Sequence, residues 1–143
     1  MKLRIIAVGL VRNKRGEYFL GKMPKDRGVY SGQWGLPGGG IETGETMEQA
    51  LKREMKEELG LKVGQIKPLM FLDDTRNKLF SDGHREKFYM VYLFFECLAN
   101  TDRVKLNPEW EEYAWVRERD VRQYDLNAAT RQTFDRLAEM ACG

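Results

Sequence analysis

Gly39-Gly40-Ile41-Glu42-Thr43-Gly44-Glu45, then Thr46 and, seven residues on, Arg53-Glu54-Met55-Lys56-Glu57-Glu58-Leu59-Gly60-Leu61, is the stretch on which the reading of this chain turns. A glycine turn leads into a helix crowded with carboxylates. Thr46 is a good N-cap, and Gln49 completes a capping box with it. Gly60 stops the helix as a left-handed C-terminal cap. With Glu54 at zero on a helical wheel, Glu58 lies about 40° to one side and Glu57 about 60° to the other. The three carboxylates therefore share one face. Their mutual repulsion, about 0.2–0.5 kcal/mol per pair, is too small to unfold a domain. Arg53 and Lys56 offset part of it, yet the cluster stabilises nothing without a counter-ion. An ordinary solvated acidic surface is the competing reading. Hard oxygen donors favour Mg²⁺, Mn²⁺ or Ca²⁺ over zinc or copper, and Mg²⁺ completes its shell from substrate phosphates. Gly38, Gly39 and Gly40 let the backbone bend sharply and approach a ligand closely. A carbonyl there, Gly38 being the candidate, could join the metal shell. Glu45 could reach the metal face or pair with Arg53, and both stay open.

Working outward, Leu3 to Val11 reads as a strand. Asn13-Lys14-Arg15-Gly16 is a turn, and Glu17 to Lys22 pairs back as the second arm of a hairpin. Met23 to Gln33 reads as loop, and Trp34-Gly35-Leu36 as a short extended piece. Beyond the helix, Leu61 to Leu72 forms a strand. Asp73 to Lys87 is polar, holds Gly83, and reads as a long loop or hairpin tip. Phe88 to Leu98 is a nearly unbroken apolar run, suited to a strand buried on both faces. Tyr113 to Val116 is a shorter strand and Glu118 to Gln123 a short helix. A last helix runs from about Ala128 to Met140, with Phe134, Leu137 and Ala138 on one face. Strands with helices interposed point to an α/β fold, a sheet between helices.

The 143 residues suit a single domain, 1–143, able to bury about 70% of its unfolded surface. The 24 basic and 22 acidic residues leave a net charge of +2, which gives no argument for DNA, RNA or an anionic membrane as partner. Two cysteines support neither a disulfide framework nor a zinc site. Cys97 lies in an apolar run and reads as a buried thiol; Cys142 reads as mobile. The opening Met1-Lys2-Leu3-Arg4-Ile5-Ile6 is too short for a signal peptide and is interrupted by charge. No apolar run reaches the roughly 18 residues of a membrane helix. A cytoplasmic protein is the expectation, and a homodimer is left open.

Gly39, Glu45 and Arg53 to Leu61 resemble the Nudix signature at all nine specified positions over 23 residues. That is far more specific than a lone glycine motif. The resemblance implies the Nudix fold, an α/β/α sandwich with a mixed sheet, and Mg²⁺-dependent hydrolysis of a diphosphate linkage in a nucleotide-like substrate, with Mn²⁺ as a substitute. It implies a catalytic set of Glu45, Arg53, Glu54, Glu57 and Glu58, the last three as metal ligands with Gly38. Glu109 is a further metal candidate, because related enzymes often place a carboxylate near there. Asp26 to Trp34, Asp73 to Arg76, Tyr113 to Val116 and Tyr124 to Asn127 look like a bacterial subgroup of nucleoside triphosphatases favouring pyrimidine deoxynucleotides. Pro37 departs from that subgroup, where a small polar residue is expected.

The substrate groups follow from side-chain chemistry. Lys22, near the glycines, could bind phosphate as a point charge or be a solvated strand end. Lys25, Arg27 and Arg76 are further phosphate candidates. Trp34 could stack on a base or pack beside a strand. Asn127 could read a base edge or cap the last helix. His84, the single histidine, reads as surface, so a Ser-His-Asp triad has no support. The leading function is release of a nucleoside monophosphate and pyrophosphate. The alternatives are a nucleotide-sugar or dinucleotide hydrolase, and a nucleotide-binding domain without catalysis.

Overall fold

The computed structural model describes residues 1–142, the Cys142 side chain excepted, so the expectation for that thiol lies outside the described residues. β1 (Lys2–Arg12) and β2 (Tyr18–Lys22) form the expected hairpin. β1 organises the sheet. On one edge it runs parallel to β6 (Arg85–Ala99), from Lys2 opposite Phe88 to Arg12 opposite Leu98. On the other it pairs antiparallel with β4 (Gly38–Gly40) and meets β2 at Arg12 and Tyr18. β5 (Val63–Leu79) is antiparallel to β6, while β3 (Trp34–Gly35) and β7 (Glu112–Val116) pair with β2. The result is one mixed sheet of seven strands among the described residues.

Side chains alternate between the faces of β1. Ala7 and Val11 face α1 (Met47–Leu59), in a layer completed by Leu51, Met55, Leu59 and Phe95. Ile6, Val8 and Leu10 face α2 (Ala128–Cys142), with Phe94, Leu126 and Phe134. The sheet therefore lies between helices, as expected. Burying a side chain such as Leu51 or Phe134 contributes about 1.5–3 kcal/mol, so each helix is held mainly by its own apolar layer. β1 passes close beneath α1: a Cβ on Gly9 would lie 3.0 Å from the Met55 sulfur. The helix ends match their sequence signals. Thr46 and Gln49 form both bonds of the capping box, and Gly60 takes φ 66° and donates to the Lys56 carbonyl.

Three expectations change. Gly38 to Gly40 do not turn; they form β4, because β1 offers a free edge that the glycine backbone can approach without side-chain hindrance. Asp73 to Leu79 is not loop but the far half of β5, paired from Asp73 with Val91 to Leu79 with Arg85. Its polar composition reflects a ribbon reaching past α1, where Asp73, Thr75 and Asn77 face solvent. The tip is short, closed by Phe80 and His84 backbone pairing and by their stacked rings at 4.4 Å. Finally, β6 is not covered on both faces throughout: Tyr89, on the α1 face but beyond the helix, is 37% exposed. The short helix at Glu118–Gln123 is 3-10 in form. No helix among the described residues is long and apolar enough to cross a membrane.

Candidate active site

The carboxylates of α1 do not behave alike. Glu58 is 2% exposed. Its Oε1 accepts the Trp110 indole N–H at 3.0 Å, and its Oε2 is buried without any partner. Glu54 is half-buried, and Glu57 points outward with a side chain 56% exposed. Arg53 gathers the rest. Its guanidinium donates to both Glu45 oxygens at 2.6 and 2.8 Å, to Glu54 Oε1 at 2.8 Å and to the Gly40 carbonyl at 3.0 Å. That resolves the two readings of Glu45: it pairs with Arg53. The Arg53 fork, followed by the Glu42 backbone N–H, pulls the Glu45 carboxyl down to about 2, and the same pairing raises Arg53. Glu58 moves the other way. Burial first, then the neighbouring Glu54 carboxylate and the charge of Glu109, push its pKa well above 4.5.

β4 connects this helix face to a cavity of about 450 Å³ on the other side of the sheet. A Cβ on Gly39 would sit 2.3 Å from the Glu54 carboxyl carbon. A Cβ on Gly40 would point the opposite way, 2.8 Å from Arg4 Nη2. A strand without side chains thus lets Glu54 and Glu58 look past it into a space that they share with Glu109. Backbone bonds Gly9 to Pro37 and Ile41 to Ile5 set the ladder alternation, which leaves the Gly38 carbonyl outside the pairing with β1. The remaining wall is largely apolar, formed by Ile6, Val29, Leu36, Phe80, Phe88 and Met90. The volume suits a small organic ligand.

Among the described residues no three His, Cys, Asp or Glu side chains converge into a ready-made metal cage. The donor set still fits a hard divalent cation. Glu58 Oε2 is an orphaned buried oxygen, and a cation would supply the partner it lacks. Such a cation needs only one or two carboxylates when phosphate oxygens complete its shell. Glu109 sits at the rim, exposed overall, yet desolvation and then Glu54 raise its carboxyl.

The substrate candidates divide. Arg27 and Asn127 line the cavity. Asn127 Oδ1 caps α2 by accepting from the Thr130 N–H at 2.8 Å, while its amide nitrogen stays beside Gly35 at the cavity wall. Lys22 is not among the residues lining the cavity; it pairs with Glu111 at 3.6 Å. Lys25 stays exposed in its loop. Trp34 packs edge-on against Tyr124 at 4.9 Å, which is the packing reading. Arg76 is held by Asp74 at 2.6 Å and lies over the Tyr30 ring, outside the cavity. His84 is at the exposed ribbon tip. Sequence reasoning missed Arg4, Lys78 and Trp110. No local signal marks them: Arg4 is mid-strand, Lys78 fell in the stretch read as loop, and Trp110 meets Glu58 across 52 residues.

A sequence model of the NUDIX domain matches residues 2–137. The nucleoside triphosphatase NudI of Escherichia coli O139:H28 is 50% identical over 136 residues, covering 94% of this chain and 96% of its own length. The nucleoside triphosphatase NudI of Shigella flexneri has the same identity and coverage. Among solved structures, a MutT NUDIX hydrolase from Burkholderia pseudomallei matches with a TM-score of 0.75 at 25% identity, over 94% of this chain and 98% of that one. The MutT protein of Methanosarcina mazei Go1 matches with 0.74 at 26% identity, over 98% and 96%.

Proposed function

The chain belongs to the Nudix family, and from that premise we propose that it is a Mg²⁺-dependent pyrophosphohydrolase of nucleoside triphosphates, pyrimidine deoxynucleotides by preference. Water and the triphosphate give the monophosphate and pyrophosphate. A water oxygen joins one phosphorus of the α–β bridge, the bridging oxygen leaves with the other phosphate, and the water proton is given up. The observation that carries this reading is the partnerless Oε2 of Glu58, a residue that lines a cavity of nucleotide size together with Glu54 and Glu109.

Glu54, Glu57 and Glu58, with the Gly38 carbonyl, are the groups assigned to hold Mg²⁺, or Mn²⁺ in its place; Glu109 extends the set. The bound cation would polarise phosphoryl oxygens and make a bound water more acidic. Arg53 and Glu45 are positioning residues: their fork fixes Glu54 and the Gly40 carbonyl. The water proton passes to a carboxylate of the same cavity, one of the helix glutamates or the more distant Glu109. Arg27, among the residues lining the cavity, is the phosphate-binding group of this reading. The apolar wall takes the base, and the Asn127 amide N–H reads its edge. A cytoplasmic nucleotide pool is the proposed setting, and the chemistry requires neither nucleic acid nor a second copy of the chain.

The test is a nucleotide panel with and without Mg²⁺, with both products identified. The expected outcome is pyrophosphate and monophosphate from pyrimidine deoxynucleoside triphosphates, dependent on the cation. Release from sugar nucleotides alone, or binding without turnover, would replace this reading with one of the alternatives.

A further inference from the structure

The acidic helix leaves the positive charge of the cavity unexplained. Arg4 on β1 and Lys78 on β5 both line it. Among the described residues neither forms an ion pair, whereas Arg12, Arg15, Arg27, Arg53 and Arg76 all do. What each touches is an aromatic ring. The Arg4 guanidinium lies 5.9 Å from the Phe88 ring centre, and Lys78 Nζ lies 5.1 Å from that of Phe80. Such contacts hold a side chain in place without neutralising it.

Strand register brings the two together. Arg4 pairs with Met90, and Lys78 with Glu86, so both side chains leave the same face of the sheet, on either side of β6. They are close enough to feel one another: burial and then the Arg4 charge lower the Lys78 pKa. Two like charges drawn into one concavity, neither in a salt bridge although Glu109 and Glu86 act on Lys78 from farther away, are stabilised by an anion. Arg4 also abuts Gly40, whose neighbour Gly39 meets Glu54 on the opposite face. Cationic pair and carboxylates therefore border one another across β4.

We infer that Arg4 and Lys78 form an anion subsite for the outermost phosphates of the nucleotide, those that leave as pyrophosphate, and that this pair selects triphosphate over diphosphate. The identity of the nucleotide rests on the hydrolase reading above; the anion site does not. A terminal phosphate carries about two negative charges near neutral pH, more than an inner one. The fork of Arg4 and the point charge of Lys78 meet that end of the substrate. The bridging region falls to the carboxylates and their cation, and the base to the apolar wall.

Calorimetric binding of the α,β-methylene triphosphate and α,β-methylene diphosphate of one nucleoside, in Mg²⁺, tests the inference on the parent chain, Arg4→Gln and Lys78→Gln. Triphosphate binding should weaken about tenfold or more in each variant, the loss expected for a hydrogen bond to a charged group. Diphosphate binding should change by less than about threefold, and Lys78→Arg should restore most of the triphosphate affinity. Triphosphate affinity unchanged in both variants overturns the subsite, as does an equal loss for both ligands. Two further results separate this inference from the reading it builds on. Hydrolysis by the parent together with unchanged binding by the variants removes the subsite and leaves the activity. No hydrolysis by the parent, with inorganic tripolyphosphate binding that falls about tenfold in both variants, removes the activity and keeps the subsite.

Discussion

Glu58 is a carboxylate held where negative charge is least favourable. One oxygen is tied to the Trp110 indole and the other has no partner. Burial and its neighbours raise its pKa well above 4.5, so over pH values from there upward the folded chain keeps a proton that the unfolded chain has lost. The stability from this group is complete below the unfolded value and declines as pH rises through that window. The cation-free protein should therefore lose Tm as pH rises above about 4.5. Glu58→Gln cannot ionise and should flatten the decline; a slope equal to the parent's would show that Glu58 does not govern it. Glu45 acts in the acid range with the opposite sign: its pairing stabilises the fold above 4.5 and is lost as pH falls toward about 2. Glu58→Gln keeps an oxygen for Trp110, so the fold should persist while turnover drops about 10²-fold or more. Trp110→Phe keeps the ring against Gly21 and Phe19 but removes the donor. Mn²⁺ affinity, measured by electron paramagnetic resonance, should fall about tenfold or more, as when the partner of a ligating group is lost. An unchanged affinity would mean that the indole only packs. The acidity of this site was legible in the sequence, because i, i+3 and i, i+4 spacing is local. The indole bond was not, since nothing near Trp110 points to a helix 52 residues earlier.

At the scale of elements, β4 does the connecting. Because Gly39 lacks a side chain, Glu54 can pass close to the strand; a Cβ would meet its carboxyl at 2.3 Å. Gly39→Ala should displace Glu54 and lower turnover by about 10²-fold, the scale of an ångström-sized misplacement. Gly64→Ala is the control, because its Cβ meets nothing within 4 Å. Comparable turnover loss in both would detach the effect from the approach to Glu54. Thr46→Ala removes the oxygen that accepts the Gln49 N–H and should cost about 1 kcal/mol in a denaturant titration, with turnover little changed. The helix was readable end to end, because capping box, carboxylate spacing and Gly60 act within a few residues of one another. β4 was not, because three glycines carry no side-chain period and only the free edge of β1 makes them a strand. The far half of β5 was hidden for a related reason. Asp73, Thr75 and Asn77 face water and Asp74, Arg76 and Lys78 the cavity side, so both faces are polar and hydrophobic alternation disappears.

At the scale of the whole molecule, the sheet separates two tasks. One face anchors the acidic helix through Leu51, Met55 and Leu59, and the other carries the apolar wall of the cavity. The sandwich was legible, since the signature implies it and the apolar runs supply its layers. The cavity was not: it exists only once β1, β6 and β5 are in register, bringing Arg4 and Lys78 to one face from 74 residues apart. A cation that binds only the folded chain stabilises it by about 2.7 kcal/mol at a hundredfold excess over Kd. Saturating Mg²⁺ should accordingly raise Tm more near pH 8 than near pH 5, where Glu58 keeps its proton. The most direct measurement is anomalous diffraction from crystals grown with Mn²⁺ and an α,β-methylene nucleoside triphosphate. The expected map places a cation about 2.1 Å from Glu58 Oε2, shared with Glu54 and with an oxygen beside the α–β bridge. A map with cation and phosphates bound elsewhere, and Glu58 Oε2 still without a partner, would contradict the account.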